Sequence, residues 1–206
     1  MTQTVKFIQR LEALKEGERS SLRRLGGQQL DGSVPGFDLF TGLWWPLRKR
    51  NQAAPRRETS WLVAKLYCAR PMPYVGQKCT PAAPGEACSC ARCPAPVRQK
   101  CASLPAVLGR CEPRNDFGRK RYRQRFDALL QSPLAALEPH LRWALSVVAD
   151  AVTAGRVSGP DWAQLLDDVS SWDRGEEYRR RGDVREKWAC QYLEASKPKG
   201  ETGHAD

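Results

Sequence analysis

Between Leu134 and Val152, apolar residues recur at steps of three or four: Leu134, Leu137, Leu141, Leu145, Val148 and Val152. On a helix of 3.6 residues per turn that spacing puts six aliphatic side chains on one side, whereas a strand would scatter them over both faces. A chain with such a stripe must supply other apolar surfaces to cover it. The rest of the sequence repeats the same periodicity and holds no alternating run, hairpin signal or internal repeat. The fold class expected is therefore all-α.

Several segments share the pattern. TVKFIQRLEALKEGE sets Phe7, Leu11 and Leu14 at i, i+4, i+7. Ser20 and Ser21 are candidate caps for a short turn, SSLRRL, closed by Gly26-Gly27. DLFTGLWWPL collects Leu39, Phe40, Leu43, Trp44 and Trp45, with Pro46 expected to stop it. RRETSWLVAKLYCA places Trp61, Leu62, Lys65 and Leu66 at helical spacing; Tyr67 and Cys68 widen that face, with Cys68 acting as a small core hydrophobe. RKRYRQRFDALLQ carries Tyr122, Phe126, Leu129 and Leu130. Pro139 falls in the first turns of the Leu134 stripe and is expected to bend the helix or delay its start. SGPDWAQLLDDVSSW has a start signal in Ser158 or Asp161 with Pro160, then Trp162, Leu165, Leu166, Val169 and Trp172. DVREKWACQYLEA presents Val184, Trp188 and Tyr192 at steps of four. At 206 residues the chain suits one medium domain or two small ones, and the helix pattern favours two helical bundles. These are an N-terminal basic bundle over 1–117 and a C-terminal bundle over 118–206, with a disordered tail from about 197.

From about 70 to 104 the periodicity stops. PMPYVGQKCTPAAPGEACSCARCPAPVRQKCASLP is rich in Pro, Gly, Ala and Cys, and a loop this long needs something to organise it. The N-terminus has no apolar segment followed by a small-residue cleavage site, and no apolar run approaches the roughly 18 residues of a membrane span. A cytoplasmic protein is expected, and there clustered thiols suggest a metal before disulfides. Four thiolates would satisfy tetrahedral Zn(II), and Cys79, Cys88, Cys90, Cys93 and Cys101 offer five. A structural zinc is the favoured reading; an iron–sulfur cluster and unliganded thiols are the alternatives, because the paired C-x2-C arrangement is lacking.

Charge divides the chain unevenly. The net charge is +11; residues 1–130 hold 24 Lys+Arg against 10 Asp+Glu, and residues 131–206 hold 10 against 13. That segregation points to a polyanionic partner for the first two-thirds, phosphate backbone being the commonest. In GRKRYRQRF, Arg119 and Arg123 fall on one flank of the Tyr122/Phe126 stripe and Arg121 and Arg125 on the other, with Lys120 pointing away. Like charges at i, i+4 disfavour an isolated helix and invite a compensating anion. The competing reading is a solvated helix face. Arg23-Arg24, Arg48-Lys49-Arg50 and Arg56-Arg57 add further basic groups. No base-reading motif accompanies them, so the expected contact is with backbone and blind to sequence.

Catalysis finds little support. The two histidines are His140 and His204, and no H-x-E, HExxH or phosphate-binding glycine loop occurs. Asp167-Asp168 and the Asp173/Glu176/Glu177 cluster fit solvated helix faces or partners of Arg179–Arg181 better than a divalent-metal nuclease.

GFDLFTGLWWPL, ETSWLVAKLYCA, LPAVLGRCEPRNDFGRKRYRQRFDALLQS, PDWAQLLDDVSSWD and VREKWACQY, in that order, resemble the small subunit of the type I-E CRISPR surveillance complex (Cascade), the CasB family. The LGR of 108–110, the arginine-rich helix ending in Leu-Leu and the downstream DW…LL…W carry most of the likeness. The resemblance implies a two-bundle, non-enzymatic subunit that stacks with a second copy of itself beside the backbone and large subunits. It also implies contact with the crRNA, the target DNA and the displaced non-target strand. By position, Arg23, Arg24, Arg56 and Arg57 match basic sites of the N-terminal bundle, and Arg119, Lys120, Arg121 and Arg123 match those near the bundle junction. The 70–104 segment is a departure that the family does not explain. A standalone zinc-binding regulator, its recognition carried by the cysteines, is the alternative.

Overall fold

The computed structural model describes residues 3–30, 36–50, 55–72, 102–173 and 183–197, with side chains of the third helix described to Arg48. Nine α-helices run through them: α1 (Gln3–Glu12), α2 (Glu16–Arg24), α3 (Phe37–Arg50), α4 (Arg57–Ala69), α5 (Leu104–Arg110), α6 (Asp116–Gln131), α7 (Leu137–Thr153), α8 (Trp162–Ser170) and α9 (Val184–Ser196). A 3-10 turn, Leu134–Ala136, leads into α7. Among the described residues there is no sheet; the sole strand-like pairing is a single bridge between Ala102 and Pro160. The chain is all-α, as the periodicity requires.

α4 lies at the centre. Every side chain from Thr59 to Cys68 is buried, because α1, α2, α3, α7 and α8 all pack on it. A helix buried on all sides cannot show a clean polar face, and this one does not. Phe40 meets Trp61 edge-on at 5.1 Å and Phe7 at 6.5 Å, while Tyr67 meets Trp162 at 5.1 Å. The apolar residues of both halves join in one continuous core running from Val5 to Tyr192. Burial pushes the Cys68 thiol up to about 12, as expected of a cysteine packed as a hydrophobe.

Two local expectations are corrected. The turn expected at Ser20-Ser21 is part of α2, which starts at Glu16; the Glu18 carboxylate accepts the Lys15 backbone N–H at 2.8 Å, doing the capping. Pro46 does not stop α3, which continues to Arg50. Leu47, just beyond it, is buried in the core. The helix is held by that burial although one backbone hydrogen bond is lost. Other signals act as expected. Gly27 takes φ +80° after α2. Pro139 falls in the first turn of α7, behind the 3-10 turn. Asp161 caps α8, its carboxylate accepting the Gln164 N–H at 3.0 Å. Asp183, for which the sequence raised no expectation, caps α9 by accepting the Arg185 N–H at 2.9 Å.

The LGR motif acquires a physical role here. α5 presses along α9 so closely that a Cβ on Gly109 would collide with the Tyr192 carbonyl oxygen and lie 2.9 Å from Ala195 Cβ. The Leu-Leu and DW…W elements are core residues: Leu129, Trp162 and Trp172 are buried, and Trp172 packs edge-on against Trp188 at 4.9 Å.

Candidate nucleic-acid interface

α6 begins at a fixed point. Asn115 caps it by accepting Gly118 N–H at 2.6 Å, and any side chain at 118 would strike that cap. Tyr122, Phe126 and Leu129 anchor the helix inward. The Tyr122 hydroxyl donates to the Leu108 carbonyl at 3.0 Å, and Phe126 stacks on Tyr192 at 4.1 Å.

The structure then separates the α6 cations into three kinds. Arg123 is held by Glu112, with Nε and Nη2 at 2.6 and 3.1 Å from its two oxygens, and the Tyr192 hydroxyl donates to the same carboxylate at 2.6 Å. Burial pushes the Glu112 carboxyl up, but hydrogen bonds from Arg123 and Tyr192 hold it below the usual carboxylate value. Arg119 donates to the Arg114 carbonyl at 2.8 Å and lies 3.7 Å from Asp116. These two arginines fasten the loop ahead of α6, with donors left over. Arg125 lies over the Trp143 ring at 5.8 Å. Lys120 and Arg121 are exposed and have no charged partner among the described residues.

α7 links this face to the end of α2. Trp143 receives Arg125 on one side, while the neighbouring Arg142 guanidinium lies against Gly26, just past Arg23 and Arg24. Arg70 and Arg142 line a recess of about 290 Å³ between α4 and α7, together with Trp143 and Ser146. Arg23 and Arg24 are exposed in the last turn of α2. Arg48, Arg56 and Arg57 are exposed too, but belong to a different place. The Trp44 indole donates to the Pro55 carbonyl at 2.9 Å, tying α3 to the start of α4. Over the 13 residues of α4 that is about 20 Å from Arg70. Arg57 pairs at 3.4 Å with Glu58 on the open surface, a contact of little consequence. The Arg50 side chain and Cys79, Cys88, Cys90, Cys93 and Cys101 lie outside the described residues, as do Glu176, Glu177 and Arg179–Arg181.

Sequence reasoning passed over Arg70, Arg142 and Trp143, because three separate elements meet to place them. It also passed over Glu112, whose acidity inside a basic stretch was the available signal. Phe117, one residue before the noted GRKRYRQRF run, was passed over as well. The acids considered for metal binding have other employment. Asp168 accepts the Trp188 indole at 2.8 Å and Lys187 at 2.9 Å; Asp167 accepts Thr4 at 2.6 Å; Asp173 accepts Leu134 N at 2.7 Å and Arg185 at 2.8 Å. Among the described residues no group of three or more His, Cys, Asp or Glu is placed to hold a metal. None of the described helices is long and apolar enough to cross a membrane.

Comparison with curated proteins gives no match. Among solved structures, the chain is similar to a CRISPR-associated protein of the Cse2 family from Thermus thermophilus. Identity is 22% over 93% of this chain and 96% of that one, with a TM-score of 0.59. A structure of CasB from Thermus thermophilus gives the same values. CasB from M. ruber is 19% identical over 94% of both chains, with a TM-score of 0.64. At these identities the solved structures speak for the fold. The sequence model of CRISPR-associated protein Cse2 matches residues 18–193, which span the basic α6, its acidic tether and nearly all of the core, and the chain belongs to the Cse2 family.

Proposed function

We propose that the protein is a non-catalytic, nucleic-acid-binding small subunit of a type I-E CRISPR surveillance complex. In that role it contacts phosphate backbone and stabilises the crRNA–target heteroduplex and the displaced strand. Its partners are the crRNA, both DNA strands, the backbone and large subunits and a second copy of itself. The observation that carries this is the solvent face of α6, where Lys120 and Arg121 stand exposed without a charged partner among the described residues. It belongs to a chain of the Cse2 family whose first 130 residues are strongly basic. Unpaired cations on a rigid helix suit a backbone ligand, and guide pairing leaves the protein no sequence to read. Arg23 and Arg24 extend the surface past α7. Arg48, Arg50, Arg56 and Arg57 form a second contact area. Arg119 and Arg123 reach phosphate through the donors their internal bonds leave over.

The test is R-loop stability in the assembled complex across a salt series. Replacing Lys120 and Arg121 with Ala should weaken binding for every target sequence and lower the salt slope by about 1 per lost phosphate contact. An unchanged slope and affinity would remove α6 from the interface. The proposal also carries a structural zinc on four of Cys79, Cys88, Cys90, Cys93 and Cys101. Elemental analysis should find about one zinc per chain, and fewer than about 0.2 would dismiss it.

A further inference from the structure

Phe117 is 81% exposed at the start of the most basic helix of the chain. Single exposed apolar side chains are ordinary, but the surroundings of this one are not. Lys120 and Arg121, at i+3 and i+4, lie one turn along the same face, and Arg114 precedes the helix; all three are exposed. The one acid beside it, Asp116, is fully solvated and leans toward Arg119 at 3.7 Å. Among the described residues the other exposed large apolar side chains, Trp45 and Leu193, belong to α3 and α9. The immediate helical neighbours of Phe117 are thus charged or polar, which is poor company for a protein hot spot. The Asn115 cap and the close approach of Gly118 hold the first turn in place, so the ring is presented with little backbone entropy left to lose.

We infer that Phe117 is a base-stacking residue for unpaired nucleic acid, its ring taking the face of one base while Lys120 and Arg121 take the neighbouring phosphates. An aromatic ring flanked by cations is the equipment that binds single strands without reading sequence, and a paired, stacked duplex offers it no free base face. The inference rests on the nucleic-acid reading above and narrows it, since this part of α6 would prefer a displaced single strand to the heteroduplex.

The test is fluorescence anisotropy of the full-length protein with labelled oligothymidylate and with a fully paired duplex of the same length. F117A should weaken single-strand binding at least about fivefold while leaving duplex binding and Tm unchanged. F117Y should retain the affinity. F117L, which keeps apolar bulk but loses the ring face, should behave like F117A. K120A/R121A should weaken both ligands and lower the salt slope of each. If F117A leaves single-strand binding intact, or weakens both ligands equally, stacking is wrong and the phosphate reading stands. Full affinity in F117L overturns stacking in favour of simple apolar docking. Wild-type protein that binds neither ligand at low salt overturns both readings.

Discussion

Glu112 shows how one side chain sets the role of others. It is only 7% exposed at its side chain, receives Arg123 and Tyr192, and so fixes the loop from which α6 departs. Replacing it with Ala would strand the Tyr192 hydroxyl, while Arg123, 46% exposed at its side chain, can turn to water. We expect E112A to cost about 1–2 kcal/mol, read as a lower urea midpoint with an unchanged slope. The sign of the pH dependence follows from the same contacts. The folded-state value of Glu112 is depressed below the usual 4.5, so its contribution is fully present above about pH 4.5 and is lost as pH falls through the depressed value. Urea midpoints measured downward from pH 6 should fall less steeply in E112Q than in wild type. A matching slope would mean the carboxylate adds nothing in its charged form.

At the scale of elements, a buried ion pair joins the two halves. Lys65 of α4, 3% exposed at its side chain, donates to Glu138 of α7 at 2.6 Å and to the Gln28 carbonyl at 2.7 Å. Glu138 also accepts Gly27 N–H at 2.7 Å and Arg142 at 3.1 Å. Burial dominates at Lys65 and moves its pKa down despite the carboxylate beside it. At Glu138 burial pushes upward, but Lys65, the Gly27 N–H and Arg142 outweigh it and hold the carboxyl low. E138A leaves an ammonium buried with one carbonyl, and should cost about 3–5 kcal/mol. K65M leaves a carboxylate that still has two donors, so its cost should be visibly smaller in the same denaturation series; equal costs would contradict this asymmetry. The α5–α9 contact offers a second check. G109A forces apart two helices already in contact and should cost about 2 kcal/mol, a fall in Tm of about 4–8 °C. The same contact bears on a division into bundles over 1–117 and 118–206. α5 packs on α9, and limited proteolysis would tell whether the cut between two bundles falls near 117 or ahead of α5.

At the scale of the whole molecule, charge and core follow different divisions. The core is continuous from α1 to α9, whereas the basic excess is confined to the first 130 residues. Part of the chain's basic charge is consumed within the fold by Glu112, Glu138 and Asp168, so the count of basic residues overstates the surface available to a polyanion. Single Ala substitutions should separate the two uses. R23A or R121A should change nucleic-acid affinity with Tm constant, and R123A should lower Tm as well. An R123A protein with unchanged Tm would return Arg123 to the ligand-facing set.

Periodicity alone determined the all-α class, most helix positions and the burial of Tyr122, Phe126, Trp162 and Trp188, because a 3.6-residue period reports directly which face meets a core. Order of motifs alone was enough to suggest the family. What it could not decide was which like residues do unlike things. Arg119, Arg121, Arg123 and Arg125 are near-equivalent in sequence. Yet one is tied to the loop ahead of α6, one to a buried carboxylate and one to Trp143, and one faces water, according to what α5, α7 and α9 bring alongside. Pro46 and the Ser20-Ser21 pair failed as punctuation for the same reason: burial of Leu47 and Leu22 outweighs a local preference of a few kcal/mol or less. Long-range packing allots those partners, and only the tertiary structure contains it.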